Sequence, residues 1–595
     1  MQKQPPPPAW VDQLKKAAAP RTTVDVNKMK AHPSLLPYQV EAVSFAMERG
    51  GRAFLNDEMG LGKTAQALTL MRQYPNDWPV LVVAPKAVLT QWEQEVHRWI
   101  ASNVVVQIAR EGKKTVTRMG AKQTILTSWN YDSQICICTY DIFRANRTLQ
   151  APPGGGRWRC VILDESHKCK DPSTKRAKEI MPVVMRADHV ALLTGTPAPA
   201  GANDLWSQLK MVLPKAAQDH MPSHKKWEQR YCVCKEIYTG LRTIENWTGF
   251  NPGTQTEVNG LLKTMQMRRL KTEVLTQLPE KQRHVLYLEA SPGAANKASG
   301  LKAKFEALRN KDEILAADQE PVHEVMKLFS GTAVLGAEPC VEWVKEHFFE
   351  DDGDKQKIIV FAHHREVLDK LEAGFQKIKG ATTIRVDGSV PGAQREDRIK
   401  RFKTDATCRV ALLSMGTCSN GLNMTEASTI LFAEMTWSPT DHMQAEDRIH
   451  RVSQTNACNI YYAMLPNSLG TFMFRRLQAK ARDIREVVDG PDATDPSLRT
   501  TNFVTPTKPP AAARVKPAAP VTPPVVVDLT EDFEDAADDD DEPIDLTQEE
   551  AAPPAAPALP VVTPAETKKR PREPDSDDDS VLGYDSGFGK KAHSR

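Results

Sequence analysis

One stretch of the sequence decides the fold: residues 53–68 read AFLNDEMGLGKTAQAL. A short apolar run is followed by a glycine-containing loop and then by a helical pattern. The backbone N–H groups of such a loop, together with the N-terminus of the following helix, surround phosphate oxygens. The loop ends in Gly62-Lys63-Thr64. We therefore predict that Lys63 holds the outer phosphates of a nucleotide and that Thr64 supplies a ligand for Mg²⁺.

The loop departs from the usual phosphate-loop pattern at one position. Gly60 and Gly62 supply flexible backbone, but Asp57 occupies the place of the first glycine in G-x-x-x-x-G-K-[ST]. Because a lone G-K-T tripeptide also occurs by chance, the loop needs a second, independent indication.

An acidic pair supplies that indication. Asp164 and Glu165 follow CVIL at residues 160–163, an apolar run that predicts a buried strand. Ligands of open α/β sheets bind at the carboxyl ends of the strands, so we expect both carboxylates on a strand neighbouring that of the phosphate loop. One carboxylate can hold Mg²⁺ through water while the other orients or deprotonates the attacking water. Alone, the pair could equally cap the N-terminus of a helix.

The same alternation of strands and helices continues on both sides of these motifs. Apolar runs such as VLVVAP (residues 80–85) and VALLTGT (residues 190–196) predict strands of a first sheet. Five further strands are predicted at residues 357–364, 382–389, 408–415, 428–435 and 459–465. Continuous β-branched runs separated by helices indicate parallel sheets covered on both faces. The predicted fold class is α/β, with two doubly wound lobes in tandem.

Composition sets the predicted boundaries and the charge of each part. From Pro491 onward the chain carries 11 Lys and Arg against 22 Asp and Glu, with 17 of its 43 prolines, so we predict a disordered acidic tail. The remainder is basic, as a partner with many phosphates requires. We predict a disordered or loosely docked arm at 1–30, a first lobe at 31–285, a helical connector at 286–354, a second lobe at 355–490 and the tail at 491–595.

The cysteines and the hydropathy exclude several classes of protein. The ten cysteines lie mostly in apolar or helical stretches, which favours buried thiols in a reducing compartment. Two C-x-C pairs, at residues 136–138 and 232–234, leave a zinc site open, although zinc knuckles normally use C-x-x-C pairs. No apolar run approaches the length of a membrane span, so we expect no membrane partner.

Taken in order, the motifs resemble those of Swi/Snf-type ATPases of helicase superfamily two, over residues 33–480. The string DEMGLGKT at residues 57–64 is that family's usual form, so the resemblance accounts for Asp57. It implies two RecA-like lobes, ATP and Mg²⁺ as cofactors, and a motor that moves along double-stranded or branched DNA.

The resemblance assigns further roles in the first lobe. It implies that Gln39 recognises adenine, that Lys86 touches a DNA strand, and that Thr194, Gly195 and Thr196 couple the nucleotide state to movement of the lobes.

In the second lobe the segment QAEDRIHRVSQ, residues 444–454, is close to a family motif. The resemblance implies that Gln444 contacts the nucleotide and that Arg448 and Arg451 are arginine fingers. A guanidinium can stabilise charge on the transferring phosphoryl group. Alone, the segment would predict an exposed, charged helix. Gly421 and Asn423 fall in a motif expected to contact or couple to DNA, although the glycine pair that many family members carry there is absent.

The branch of the family is indicated by residues 268–283, RRLKTEVLTQLPEKQR, with VFAHH and FAEMTWSP. These are most similar to HARP-like annealing helicases and fork remodellers. We find neither accessory HARP repeats nor room for a nuclease or zinc-finger module, so we expect other targeting equipment.

Two tail segments look like SUMO-interacting motifs, VVVDLT and PIDLT, each followed by acids. Such runs can add a strand to a sheet edge. The apolar residues expected to contact SUMO are Val525, Val526, Val527, Leu529, Ile544 and Leu546. The alternative is that short apolar runs arise by chance in a tail rich in Val and Pro. The basic run at 568–572 resembles a nuclear import signal, which predicts a nuclear protein, in the host nucleus if the source is viral.

The combined prediction is an ATP-dependent translocase on double-stranded DNA that remodels or reanneals DNA structures. Three alternatives stay open: a nucleosome remodeller, an RNA helicase and a non-catalytic SUMO-binding scaffold. HRVSQ at 450–454 lacks the Gly-Arg pair of RNA-directed relatives, and the joint presence of Lys63, Glu165 and Arg451 argues against a scaffold. The preferred DNA structure and the oligomeric state are not predicted by the sequence.

Overall fold

The computed structural model describes residues 6–110, 113–118, 121–126, 128–199, 201–238, 243–275, 277–310, 320–350, 356–416, 423–490 and 503–504. The two SUMO-interacting motifs, the import signal and Gly421 lie outside these residues.

The first half of the chain supplies eleven strands within the described residues. They are β1 (Arg52–Leu55), β2 (Val80–Ala84), β3 (Val106–Ala109), β4 (Lys113–Arg118), β5 (Ala121–Leu126), β6 (Ile135–Thr139), β7 (Cys160–Asp164), β8 (His189–Leu193), β9 (Val233–Tyr238), β10 (Thr243–Thr248) and β11 (Gln266–Met267). Seven of them form a parallel sheet in the order β11-β1-β8-β7-β2-β6-β3, and β4–β5 and β9–β10 are antiparallel pairs. A parallel first sheet is therefore confirmed.

Helices cover both faces of this sheet, as the continuous apolar strands predict. They are α1 (Ala9–Ala18), α2 (Pro37–Glu48), α3 (Lys63–Arg72), α4 (Leu89–Trp99), α5 (Tyr140–Ala145), α6 (Lys175–Arg186), α7 (Asn203–Val212), α8 (Lys215–Gln218), α9 (His224–Tyr231), α10 (Gln255–Leu262) and α11 (Lys271–Val274). Successive strand residues alternate between two cores: Leu81 and Val83 belong to one, and Val80 and Val82 to the other. Cys136 and Cys138 of β6 are buried in the first of these cores.

The second sheet is also parallel. Its strands are β12 (Lys281–Tyr287), β13 (Ile358–Ala362), β14 (Thr382–Val386), β15 (Cys408–Ser414), β16 (Thr429–Phe432), β17 (Cys458–Met464) and β18 (Phe503–Val504). Their order is β14-β15-β13-β16-β17-β12-β18. The five strands that the sequence predicts for this lobe are confirmed. The accompanying helices are α12 (Pro292–Asn310), α13 (Glu320–Phe348), α14 (Arg365–Phe375), α15 (Gly392–Thr404), α16 (Pro439–Glu446) and α17 (Leu469–Val488).

Strand β12 corrects the predicted boundary between the lobes. The predicted first lobe extends to residue 285, but β12 pairs in parallel with β17 along its whole length and so belongs to the second sheet. The predicted connector is helical, as expected, but it is not a separate linker. Phe305 of α12 and Phe329 of α13 are buried in the core of the second lobe.

The start of the chain is also more ordered than the sequence predicts. The disorder predicted for residues 1–30 is wrong for α1, whose Val11 and Leu14 are each 1% exposed. Trp10 contacts Tyr231 edge to face, with ring centroids 6.1 Å apart. The proline run before α1 makes the segment look disordered in the sequence. The helix nevertheless has an apolar face, and burial of that face against α8, α9 and α10 stabilises it.

Helix α17 belongs to both lobes. Leu469 and Met473 at its start are buried in the second core, whereas Val487 at its end is buried in the first. Asn259 of α10 donates a hydrogen bond from Nδ2 to the carbonyl oxygen of Val487 (2.7 Å). Across the described part of the chain, no helix is long and apolar enough to cross a membrane.

Candidate nucleotide-binding site

The motif loops of the first lobe lie side by side at one edge of the sheet. Strands β1, β8, β7 and β2 are consecutive and parallel, so their carboxyl ends meet at that edge. The phosphate loop follows β1, Thr194 follows β8, Glu165 follows β7, and Lys86 lies just beyond β2. The prediction that the phosphate loop and the acidic pair follow neighbouring strands is wrong, because β8 lies between β1 and β7. Thr194, which follows β8, therefore lies between the loop and the acids.

The phosphate loop adopts a backbone that its glycines allow. Gly60 and Gly62 have φ angles of 87° and 77°, which side chains disfavour. A Cβ on Gly62 would also overlap the side-chain amide of Gln39, so a side chain there would displace Gln39 from the loop. Helix α3 begins at Lys63 and has Thr64 in its first turn. Amides of the loop and of the helix N-terminus therefore converge, as phosphate binding requires.

Asp57 has a structural role that explains why it replaces a glycine. Its carboxylate is fully buried and accepts two hydrogen bonds from Arg269, Nε to Oδ1 at 3.1 Å and Nη2 to Oδ2 at 2.7 Å. Gln66 Nε2 donates to the same carboxylate at 2.8 Å. The sequence alone marks Arg269 only as part of a family motif, because a contact that spans more than two hundred residues leaves no local pattern.

The predicted adenine segment is held against the phosphate loop. Gln39 Oε1 accepts a hydrogen bond from the backbone of Leu36 (3.0 Å), and Gln39 Nε2 donates to the carbonyl of Leu61 (3.1 Å). The Tyr38 hydroxyl donates to the same carbonyl (3.2 Å), and the guanidinium of Arg269 lies 5.2 Å from the Tyr38 ring centroid. Gln39 is thus positioned at the nucleotide site, and its recognition of adenine stays a prediction.

Lys63 folds back into the loop that precedes it. Its Nζ donates to the carbonyl oxygens of Asp57 (2.7 Å) and Glu58 (3.2 Å). Burial lowers the pKa of Lys63, although the nearby charges of Glu165 and Asp57 oppose this change. An ammonium group that is poorly solvated by water gains more from a bound phosphate than an exposed one does.

The two acids of β7 are held by different partners. Trp92 Nε1 donates to Asp164 Oδ2 (2.9 Å). Glu165, whose φ of 52° is left-handed, accepts from the Thr194 hydroxyl and lies beside His167 Nδ1, each at 3.2 Å from Oε2. Burial and the charge of Glu165 raise the pKa of Asp164. Burial would also raise the pKa of Glu165, but the hydrogen bond from His167 and the charges of His167 and Lys63 hold it below its ordinary value.

The predicted coupling segment connects the acids to the rest of the lobe. The Thr194 hydroxyl accepts from the backbone of Thr196 (3.1 Å) as well as contacting the acidic pair. A Cβ on Gly195 would lie 2.7 Å from Met59 Cγ, so this segment packs closely on the phosphate loop. Arg268 Nη1 donates to the carbonyl of Gly195 (3.4 Å), while its Nε donates to Asp489, just beyond α17, at 2.6 Å.

Arg451, one of the two predicted arginine fingers, lies at the first lobe's phosphate loop, and Arg448 is buried in the same segment. A Cβ on Gly60 would lie 3.9 Å from Arg451 Cγ. Arg451 Nε donates to the carbonyl of Asp447 (2.8 Å), which fixes the side chain. Burial and the neighbouring charge of Arg448 lower the pKa of Arg451 to about 10, so the guanidinium remains charged at neutral pH. The cleft thus combines the lysine and acids of one lobe with Arg451 of the other.

Lys271 connects the two lobes beneath the phosphate loop, a role that the sequence does not reveal. Its backbone N–H donates to Glu58 Oε2 (2.7 Å) in the loop. Its Nζ donates to Asp447 Oδ1 (2.6 Å) and to the carbonyl of His450 (2.7 Å) in the second lobe. Lys271 is 2% exposed, so this cation has exchanged water for fixed acceptors.

Glu446 anchors the arginine segment to the second sheet. Arg283 of β12 donates to both carboxylate oxygens, at 2.8 and 2.6 Å, and the Tyr462 hydroxyl donates at 2.8 Å. Lys281 Nζ lies 3.1 Å away. Burial would raise the pKa of Glu446, but the charges of Arg283 and Lys281 hold it well below its ordinary value.

The remaining predicted residues lie at different distances from this cleft. Gln444 is buried on α16, in the same segment as the arginines, and Asn423 is half-buried. Lys86 is exposed at the carboxyl end of β2, where a strand of DNA could reach it. The roles of these residues in binding nucleotide or DNA stay predictions.

Comparison with known proteins identifies two domain families in the chain. Residues 38–321 match the SNF2-related domain, and residues 340–453 match the helicase conserved C-terminal domain. The two matches include the phosphate loop, the acidic pair and the arginine segment, and they end before β17.

Several curated proteins are similar to the chain. The DNA annealing helicase and endonuclease ZRANB3 of Bos taurus is 32% identical over 463 residues, which cover 78% of this chain and 41% of that protein. A Caenorhabditis elegans homologue of SWI/SNF-related matrix-associated actin-dependent regulator of chromatin subfamily A-like protein 1 is 31% identical over 474 residues, covering 78% of this chain and 64% of that protein. The chain thus spans about two-fifths of the length of that ZRANB3 protein. A solved Sulfolobus solfataricus SWI2/SNF2 ATPase core in complex with dsDNA aligns with a TM-score of 0.35 at 20% identity, covering 79% of this chain and 96% of that one.

Proposed function

Since this chain belongs to the SNF2-related, helicase-like ATPases, we propose that it hydrolyses ATP to move along double-stranded DNA and so remodels or reanneals DNA structures. The observation that carries this proposal is the proximity of Arg451 to the phosphate loop at Gly60, the same loop that ends in Lys63. Arginines that reach a phosphate site from a second lobe make hydrolysis depend on how the lobes are arranged.

The residues of the cleft fit ATP and Mg²⁺ by their chemistry. The loop amides and the ammonium group of Lys63 suit the phosphates, and the Thr64 hydroxyl with the Asp164 carboxylate suits a hard cation that prefers oxygen ligands. When bound, Mg²⁺ neutralises phosphate charge. Glu165, kept ionised by its low pKa, would orient or deprotonate the attacking water.

Movement along DNA would follow from opening and closing of this cleft. Arg448 and Arg451 can engage the phosphates only while the lobes are closed, and loss of the γ-phosphate removes that attraction. If each lobe holds the phosphates of a DNA strand, alternate gripping moves the protein along the duplex. Such contacts read backbone shape, so we expect little sequence specificity.

The names of the relatives support DNA as the partner. ZRANB3 is described as a DNA annealing helicase and endonuclease. The basic character of the chain before Pro491 suits a polyanion, because neutralising phosphates releases counterions.

ATP hydrolysis measured with four DNA ligands tests the proposal. Single-stranded, duplex, forked and nucleosomal DNA are compared at equal nucleotide concentration, with Glu165→Gln as the inactive control. We expect stimulation by duplex or forked DNA of at least several-fold. Greater stimulation by nucleosomes would favour a nucleosome remodeller, and stimulation by RNA alone would favour an RNA helicase. Hydrolysis that is unchanged in Lys63→Ala would leave the scaffold alternative.

The tail would direct the motor to its site of action. We propose that the two motifs around Val525 and Ile544 bind SUMO and that the basic run at 568–572 directs nuclear import. Replacing Val525, Val526 and Val527 with Ala in the full chain, together with Ile544 and Leu546, should abolish binding to immobilised SUMO. Replacing the basic run with Ala should move a fluorescent fusion out of the nucleus, and unchanged localisation would contradict the import role.

A further inference from the structure

The second sheet has a cavity of about 400 Å³ at its carboxyl edge. Residues that directly follow β13, β16 and β17 line it, including His363, Ala433 and Leu465. Strands β13 and β16 are neighbours, but the chain leaves β13 toward β14 on one side and leaves β16 toward β17 on the other. Such a switch point is where open α/β sheets bind ligands. The nucleotide site proposed above belongs to the first sheet and does not use this one.

The walls of the cavity suit a flat, apolar-faced group. Phe329 of α13 and Trp437 after β16 lie edge to face with ring centroids 4.7 Å apart, and both line the cavity. Met326 and Met435 add polarisable side chains that adapt to a ring. An aromatic ligand gains stacking energy in such surroundings, whereas a hydrated ion gains nothing from them.

Charged and polar groups also line the cavity. His363 and Lys480 are exposed, so they mark the side that opens to solvent, and Asp441 is half-buried beside them. Lys480 carries a positive charge, whereas Asp441 can accept hydrogen bonds from amino or imino groups. The carboxylate of Glu434, by contrast, is already occupied by the two backbone N–H groups of His363 and His364.

Two residues of the first lobe complete the cavity. Lys170 lies shortly after the acidic pair that contains Glu165, and Pro199 lies shortly after Thr196 of the predicted coupling segment. Lys170 is held in place by Asp204, with Nζ 3.2 Å from Oδ2. A ligand in the cavity therefore touches both lobes, next to the segments that carry the proposed hydrolytic residues.

We propose that this cavity binds one unpaired nucleotide, with the base against Trp437 and Phe329 and the phosphate near Lys480. The volume lies toward the small end of ligand sites, which excludes a duplex and admits a single base with its sugar. Enzymes that extrude a base place it between aromatic and apolar side chains and read its polar edge, and extrusion costs least where the base is already unpaired. The nucleotide can belong to DNA, in which case this inference rests on the proposed function, or it can be free in solution.

Binding of DNA with a single unpaired position tests the inference. Two duplexes differ only in whether the bulged position carries 2-aminopurine or is abasic, and their affinities for the full chain are measured without ATP. We expect the base to tighten binding about tenfold, as stacking of one base on aromatic side chains does. We also expect the 2-aminopurine fluorescence to change on binding. Equal affinity for both duplexes, together with no binding of a free mononucleotide, would overturn the inference.

A variant that fills the cavity locates the site. Gly336 on α13 lines the cavity, and a Cβ there would meet only Leu288 Cδ1, at 3.9 Å, so Gly336→Met should extend into the cavity without disturbing the helix. Gly300→Met is the matched control, because Gly300 lies on the exposed surface of α12 with nothing within 4 Å of a Cβ. We expect Gly336→Met to lose the preference for the base while Gly300→Met keeps it. Retention of the preference in both variants would place the base elsewhere.

Photo-crosslinking provides a second measurement, which identifies the residues that touch the base. 5-Iododeoxyuridine at the bulged position should crosslink to Trp437 or Phe329, and crosslinks found only outside the cavity would overturn the inference. Thymidine monophosphate is the competitor, used with Lys63→Ala so that the ATP site does not respond. Competition at micromolar concentration would identify a free nucleotide as the ligand, and lack of competition would identify the DNA base. If duplex DNA fails to stimulate ATP hydrolysis while the crosslink forms, the proposed function fails and the cavity assignment stands.

Discussion

Lys271 Nζ lies 2.6 Å from Asp447 Oδ1. The two side chains are 2% and 5% exposed, so this is a buried ion pair between the first lobe and the arginine segment of the second lobe. Lys271 also donates its backbone N–H to Glu58 of the loop, and Asp447 accepts a hydrogen bond from Arg451 Nε at its carbonyl oxygen. The ion pair therefore links the phosphate loop to Arg451.

Variants of Lys271 and Asp447 distinguish an effect of the ion pair on folding stability from an effect on ATP turnover. Lys271→Met leaves the buried Asp447 carboxylate with the more distant Lys281 Nζ, 3.8 Å away, as its ammonium partner, and should destabilise the protein by about 3 kcal/mol. The double variant Lys271→Met/Asp447→Leu removes both charges and should regain most of that stability in a denaturant titration. If the pair positions Arg451, turnover of ATP stays low in the double variant. Turnover equal to the wild type in the double variant would show that the pair only stabilises the fold.

The arginine fingers should affect turnover and not nucleotide binding. Arg448→Ala and Arg451→Ala each remove a guanidinium that acts on developing charge, so we expect kcat to fall by about 10³-fold or more, with little change in the affinity for a fluorescent ATP analogue. Lys63→Ala should instead weaken that affinity. Arg451→Lys keeps the charge without the planar fork, and we expect turnover between those of the alanine variant and the wild type. An unchanged kcat in both alanine variants would rule out the finger role.

Replacing Asp57 with the more usual glycine should damage the protein. Asp57→Gly restores the common phosphate-loop pattern, but it leaves the buried guanidinium of Arg269 without its two carboxylate bonds. We expect the free energy of unfolding to fall by about 3 to 5 kcal/mol. Asp57→Asn keeps the size and one acceptor and is the matched control, with a smaller loss expected. A glycine variant as stable as the wild type would show that the pair contributes nothing.

The loss of stability at acidic pH should depend on Glu446. Its pKa in the folded protein is lowered by Arg283 and Lys281, so the folded protein binds a proton at this site less readily than the unfolded chain does. Its stabilisation is therefore complete above the ordinary glutamate pKa of about 4.3 and is lost progressively as the pH falls below that value toward the lowered pKa of the folded protein. Glu446→Gln should be less stable at pH 7, and its melting temperature should fall less than that of the wild type between about pH 5 and pH 3. An equal fall of the melting temperature in the two proteins over this pH range would contradict this role of Glu446.

The sequence predicts those features that depend on neighbouring residues. The strands of both sheets follow from continuous apolar runs such as that of β7, and the phosphate loop follows from the spacing of Gly60, Gly62 and Lys63. The parallel order then brings the acidic pair to the loop without further information, because all carboxyl ends share one edge.

Features that depend on distant contacts are not visible in the sequence. The Asp57–Arg269 and Lys271–Asp447 pairs join residues far apart in the chain, and each half of a pair looks like an ordinary surface charge in isolation. Helix α1 could not be predicted from the sequence, because it follows a proline run and because the helices that it packs against come about two hundred residues later in the chain. Strand β12 lies beyond the last predicted first-lobe strand, and only its pairing with β17 assigns it to the second lobe.

Helix α17 limits how far the two lobes can rotate relative to each other. Because its first turns are embedded in one lobe and Val487 in the other, a large rotation of the lobes must either bend the helix or pull its last turn out of the first core. The second event would expose Val487 to water and would break the bond from Arg268 to Asp489, and Arg268 also holds the backbone at Gly195 beside the acidic pair. Rotation of the lobes beyond the range that keeps α17 packed would therefore also disturb the backbone that holds the acidic pair.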